Sequence, residues 1–120
     1  MSGFSDALKK VAARVPETQM VIVMASDGIP IEKLIVRPDP NLEAVAAEYT
    51  TLLRASSSAA ADTGLGALRE LSVVTEKMVA IIVAITEEYF LFASLAPGAL
   101  LGRARFALRM AGIALEKEFE

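Results

Sequence analysis

The residues able to do chemistry are few and scattered along the chain. Glu87-Glu88 is the one adjacent pair of carboxylates. Acid–base catalysis needs two carboxyl groups converging on one substrate, and neighbours along a strand point to opposite faces. A solvated turn accounts for them better. Asp27 is a lone acid, and a turn role explains it. Gly64-Leu65-Gly66 invites a nucleotide-loop reading, but a dinucleotide fingerprint would need a third glycine where Arg69 stands, on a helix that follows a strand. Here the glycines close a helix before a strand, and no Gly-Lys-Ser/Thr triplet exists for a phosphate cradle. Arg103, Arg105 and Arg109 lie near the start of the last helix, the latter two on one face a turn apart. They could meet an acidic partner, or one could serve as an arginine finger for a partner that transfers phosphate. The plainer reading is a solvated helix face balanced by Glu116 and Glu118. The chain has no histidine and no cysteine. That removes the commonest general base, the thiolate nucleophile, zinc–thiolate sites and any disulfide framework. A hydrolase would be left with Ser-Lys or carboxylate chemistry. The expectation is a non-enzymatic protein with no cofactor, no metal and no catalytic residue.

Few chemical groups leave the surface itself as the functional element. The 120 residues suit a single domain, 1–120, large enough for a real core without staples. A net charge of −3 gives no basic footprint for nucleic acid. The apolar fraction is 54%, against a usual share of about 45–50% in soluble domains. Such a chain either enters a membrane or covers apolar surface with another protein. From Met78 to Gly102 the only charges are Glu87 and Glu88, but they fall mid-run, and Pro97-Gly98 breaks the second half. Neither apolar piece reaches the roughly 20 residues of a spanning helix. The start, Met1-Ser2-Gly3-Phe4-Ser5-Asp6, lacks the basic and apolar regions of a signal peptide. The expectation is a cytoplasmic protein with a large protein interface and no membrane insertion.

Periodicity supplies the elements. Residues 5–15 read as a short helix with Phe4, Leu8, Val11, Ala12 and Val15 at helical spacing, stopped by Pro16. Strands follow at Gln19–Ala25 and Ile31–Arg37. Between them Ser26-Asp27-Gly28-Ile29-Pro30-Ile31 makes a tight turn, because Asp bonds its own backbone and Gly accepts positive φ. Asp39 as N-cap and Pro40 at the first helical position start a long helix that runs to about Thr63, where Gly64 takes the left-handed position. Arg69–Thr75, Met78–Ile85 and Tyr89–Ala96 are strands, the last two apolar on both faces and so covered on both sides. Leu100–Phe119 is the closing helix, with Leu101, Ala104, Leu108, Ala111 and Leu115 inward. The order αββαβββα gives an α+β domain: a five-stranded antiparallel sheet with helices on both faces.

The long helix is informative on two sides. Leu42, Val45, Ala46, Tyr49, Leu52, Leu53, Ser56 and Ala60 form the stripe that belongs on the sheet. The opposite side reads Ala44, Ala47, Thr51, Arg54, Ala55, Ser58 and Asp62. Small residues at three- and four-residue spacing let a second helix approach closely, most simply that of another copy. Alternatively, alanine and serine merely tolerate solvent there. The serine-rich run Ala55–Ala61 could be a flexible segment, but Leu52, Leu53 and Leu65 keep the apolar register, so it is read as helix.

The hairpin Asp27-Gly28-Ile29-Pro30-Ile31, the approach Leu65-Gly66-x-Leu68-x-Glu70 to the third strand, the ending Pro97-Gly98-x-x-Leu101-Gly102-x-x-Arg105 and the order of elements resemble the roadblock/light-chain-seven family over essentially the whole chain. The resemblance implies a homodimer in which the third strand pairs with its twin and the central helices pack together. It implies an adaptor for a Ras-like small GTPase, as in the bacterial gliding-motility regulators that bind their GTPase as a dimer and stimulate hydrolysis, or in the eukaryotic dynein light chains and GTPase scaffolds. The expected dimer contacts are Ala47, Thr51, Arg54 and Ser58 on the helix, with Leu71, Val73 and Thr75 on a strand whose open edge needs pairing. A heterodimer with a related chain is the variant of this reading. The competing class is a small-ligand sensor domain of a bacterial signalling system, which would need a cavity with convergent polar groups.

Overall fold

The computed structural model describes residues 3–120; Met1 and Ser2, part of the expected domain 1–120 and of the leader reading, lie outside the described residues. The elements are α1 (Gly3–Arg14), β1 (Thr18–Ala25), β2 (Pro30–Ile35), α2 (Leu42–Asp62), β3 (Glu70–Val74), β4 (Val79–Ala84), β5 (Tyr89–Leu95) and α3 (Leu101–Glu116), closed by a 3-10 turn at Lys117–Phe119. The antiparallel sheet has the order β2-β1-β5-β4-β3, so β2 and β3 are its edges.

Strands apolar on both faces are explained by two cores. Side chains alternate across the pleat. Val21, Val23, Ile81, Leu91 and Ala93 meet α1 and α3 through Leu8, Val11, Leu108 and Leu115. Met20, Ile22, Ile82, Phe90 and Phe92 meet α2 through Leu42, Ala46 and Leu53. Phe92 is fully buried at the centre of the second core, where truncation to alanine costs about 3–5 kcal/mol.

The turn chemistry holds where it was expected. Gly28 sits at φ +94°, and the Asp27 carboxylate accepts the Ile29 N–H at 3.1 Å. At the other end of α2, Gly64 has φ +72°. Its N–H reaches the Ala61 carbonyl while that of Leu65 reaches Ala60, the paired bonds that satisfy a helix's last carbonyls.

Two local expectations are corrected. Asp39 does not cap α2: its carboxylate accepts the N–H of Asn41 at 2.8 Å, a turn just ahead of the helix. Asn41 then holds the cap position without a side-chain bond, and α2 begins at Leu42. The sheet-facing stripe of α2 also differs. Thr50 is buried, its hydroxyl donating to the Ala46 carbonyl at 2.8 Å, so the polar group is satisfied within its own helix. Leu52 is instead 39% exposed.

Candidate functional site

The two edges of the sheet are not equivalent. α2 is tied to the β1–β2 end: Lys33 pairs with Glu43 at 3.0 Å, and the Arg54 guanidinium donates to the Ser26 carbonyl at 3.0 Å. At the far end β3 is less covered. Leu71 and Val73 are half-buried and pack on the α2-side core together with Val45, Tyr49 and Met78. Val74, on the other face, is 65% exposed.

The hydrogen-bond phase of β3 decides what its open side offers. Antiparallel partners alternate between bonded and non-bonded pairs. Ala84 N–H reaches the Arg69 carbonyl, and Thr75 N–H reaches Met78, each at 2.9 Å. The register keeps this phase through Leu71↔Ile82 and Val73↔Ala80. Residues 69, 71, 73 and 75 therefore spend their backbone groups on β4. Those of Glu70, Ser72 and Val74 point outward along a bare edge, a row of donors and acceptors ready for another strand.

The seven residues expected at the dimer contact fall into two separate groups. Ala47, Thr51 and Arg54 line a groove with Asp27, Gly28 and Lys33 of the hairpin, and Ser58 lines the next groove with Ser26 and Glu87. Ala47, Thr51, Arg54 and Ser58 are all exposed, and the groove of the first three lies on the β1–β2 side of the sheet, away from β3. Leu71 and Val73 lie on the bare edge strand. Thr75 follows it and closes the β3–β4 turn, its hydroxyl donating to the Met78 carbonyl at 2.8 Å. Val45 and Tyr49 of α2 pack on the same core as Leu71 and Val73, and the exposed Leu52 lies about 160° around α2 from Arg54. Sequence reasoning assigned these to the sheet; their place beside a bare edge depends on strand order.

On the other face an ion-pair clasp fastens β3 to α3. Glu70, with a side chain 18% exposed, accepts from Arg105 Nε at 2.6 Å and from Arg109 Nε at 3.2 Å. The expected balance of these arginines by Glu116 and Glu118 is therefore corrected: their partner comes from the edge strand, 35 and 39 residues away. Leu68, Ile85 and Ile113 line the groove around the clasp. Its carboxylate is already committed to the two arginines. Glu87 and Glu88 occupy the β4–β5 turn, and the Glu88 carbonyl accepts the Ser26 N–H.

Known proteins share this fold. The family model of the Roadblock/LC7 domain matches residues 5–95. No curated protein matches the chain. Among solved structures, the chain is similar to the gliding protein MglB of Thermus thermophilus, with a TM-score of 0.84 at 17% identity over 96% of this chain and 87% of that one. Myxococcus xanthus MglB gives a TM-score of 0.86 at 13% identity, covering 99% and 96%. Myxococcus xanthus MglC gives 0.73 at 25% identity, covering 98% and 99%. At 13% and 17% identity the likeness to the two MglB structures is one of fold.

Proposed function

The chain belongs to the Roadblock/LC7 domain family, and from that premise we propose that it is a homodimeric, non-enzymatic adaptor that binds and regulates a Ras-like small GTPase in the cytoplasm. The observation that carries the reading is the bare edge of β3, with outward backbone groups at Glu70, Ser72 and Val74 beside a half-covered apolar flank. Antiparallel pairing of two β3 strands about Ser72 sets Leu71 of each copy against Val73 of the other on the α2 side, and Glu70 against Val74 on the α3 side. Like charges do not meet, and both cross-strand pairs are favourable or neutral. Leu52 and Val45 of the two α2 helices then approach over the joined sheet.

The Ala47, Thr51, Arg54 and Ser58 surface stays outside that seam and is the face offered to the GTPase. Gliding-motility proteins among the structural neighbours support this partner class. If hydrolysis is stimulated, the dimer acts by bracing the switch regions. Arg105 and Arg109 are held by Glu70, so neither of these two is poised as a finger.

The test is a pull-down from lysates loaded with GTP or with GDP, using the tagged full chain. A Ras-like GTPase retained in one nucleotide state supports the reading. Retention of no GTPase in either state refutes it.

A further inference from the structure

The outward face of α3 forms a second surface, on the opposite side of the sheet from α2. Phe106, Met110 and Ile113 are 61%, 43% and 58% exposed. Spaced four and three residues apart, they make one apolar ridge. Arg103 and Arg109 flank the ridge, and the neighbouring α1 exposes Lys9, Lys10 and Arg14. α1, α3 and the closing turn together hold seven basic and three acidic residues, a net of +4 in a chain of net −3. No Asp or Glu occurs between Leu101 and Leu115. Among the described residues, Lys9, Lys10, Arg14 and Arg103 make no ion pair. Helix stability does not account for this pattern. Arg103 and Arg105 stand in the N-terminal half of α3, no basic residue stands in its last turn and Glu116 ends it, the reverse of what the helix dipole favours.

We propose that the α1–α3 face adsorbs to an anionic lipid surface. A ridge of large apolar side chains between cationic flanks is the arrangement that lies in a bilayer interface, with the apolar groups among the headgroups and the cations against anionic lipid. Phe106 protrudes, so a soft planar partner receives it without a matching cavity, which an acidic protein would have to supply. A second copy of the same face would set a net positive surface against another, even with Glu70 counted against Arg105 and Arg109. Adsorption needs no spanning segment, and no helix among the described residues is long and apolar enough to cross a membrane. The inference does not rest on GTPase binding. Where two copies join through β3, both α1–α3 layers lie on one side of the continued sheet, and the two contacts reinforce one another.

Sedimentation of the full chain with lipid vesicles tests this. Vesicles of phosphatidylcholine containing one quarter phosphatidylglycerol should carry the protein down at low salt, pure phosphatidylcholine vesicles should not, and raised salt should release it. Arg103→Gln and Lys10→Gln should each lower the partition about fivefold. Phe106→Ser should lower it about tenfold with an unchanged melting profile, which separates a lost contact from a lost fold. Equal adsorption to both vesicle types would overturn the proposal. So would no adsorption to the anionic vesicles, with or without saturable binding of an acidic amphipathic peptide to this face. GTPase capture is scored separately, so either reading can fail alone.

Discussion

Replacing Ser72 with proline separates pairing of the β3 edge from folding of the strand itself. The N–H of Ser72 faces away from β4, because the bonded pairs are Arg69–Ala84, Leu71–Ile82, Val73–Ala80 and Thr75–Met78. Proline is tolerated on an edge strand where its missing N–H faced solvent. Ser72→Pro should therefore cost a single subunit no more than about 1 kcal/mol, the worth of an ordinary surface change with some backbone adjustment. The dimer loses more. Pairing about Ser72 forms about six backbone hydrogen bonds through Glu70, Ser72 and Val74 of each strand. The proline removes the two central ones, at about 1 kcal/mol each. Its ring also intrudes into a spacing of about 4.8 Å between strands. A loss of about 2–3 kcal/mol raises the dimer dissociation constant about 30- to 150-fold. Sedimentation velocity across a dilution series reads that shift, and circular dichroism checks that the strand survives. Val73→Pro is the contrast: it removes a bond to Ala80 inside the sheet, so its effect on assembly would be confounded with unfolding. A Ser72→Pro chain that remains folded and dimerises within about threefold of the native affinity, a difference of well under 1 kcal/mol, would refute the edge-pairing argument.

Other substitutions probe the remaining claims. Thr51→Trp should leave the dimer intact while weakening GTPase capture, because Thr51 lines the hairpin-side groove; a split dimer would move the seam to that face. A double-mutant cycle of Glu70→Gln and Arg105→Gln should return a coupling of about 1 kcal/mol, as befits a charge-assisted bond to a half-buried partner, while a coupling near zero in thermal melts would show that the clasp is ornamental. Gly64→Ala should lower stability by about 1 kcal/mol or more in denaturant titration, since a side chain there must adopt positive φ.

Local chemistry was legible in the sequence and long-range partnership was not. Asp27-Gly28 and Gly64 declared their turns because a carboxylate beside a free N–H and a residue without Cβ have few other uses. Strands apolar on both faces required helices on both sides, and the two cores supply them. Asp39 misled because an aspartate before a helix can bond a turn N–H as readily as a capping one, and Pro38 and Pro40 leave it the choice. Thr50 was passed over because its type reads as polar, although its hydroxyl is satisfied one turn back. The Glu70–Arg105–Arg109 clasp spans 35 and 39 residues, beyond the reach of any local pattern. The division of the expected contacts into a hairpin-side groove and a strand edge also depended on strand order, which hydrophobic periodicity does not encode.

A lone subunit of this chain leaves backbone and greasy surface uncovered along one margin, and a twin is the proposed cover. Sedimentation equilibrium of the unmodified protein at micromolar concentration tests that directly. The account predicts a particle of twice the 12.8 kDa chain mass. A folded species that stays at 12.8 kDa across the concentration range would contradict it.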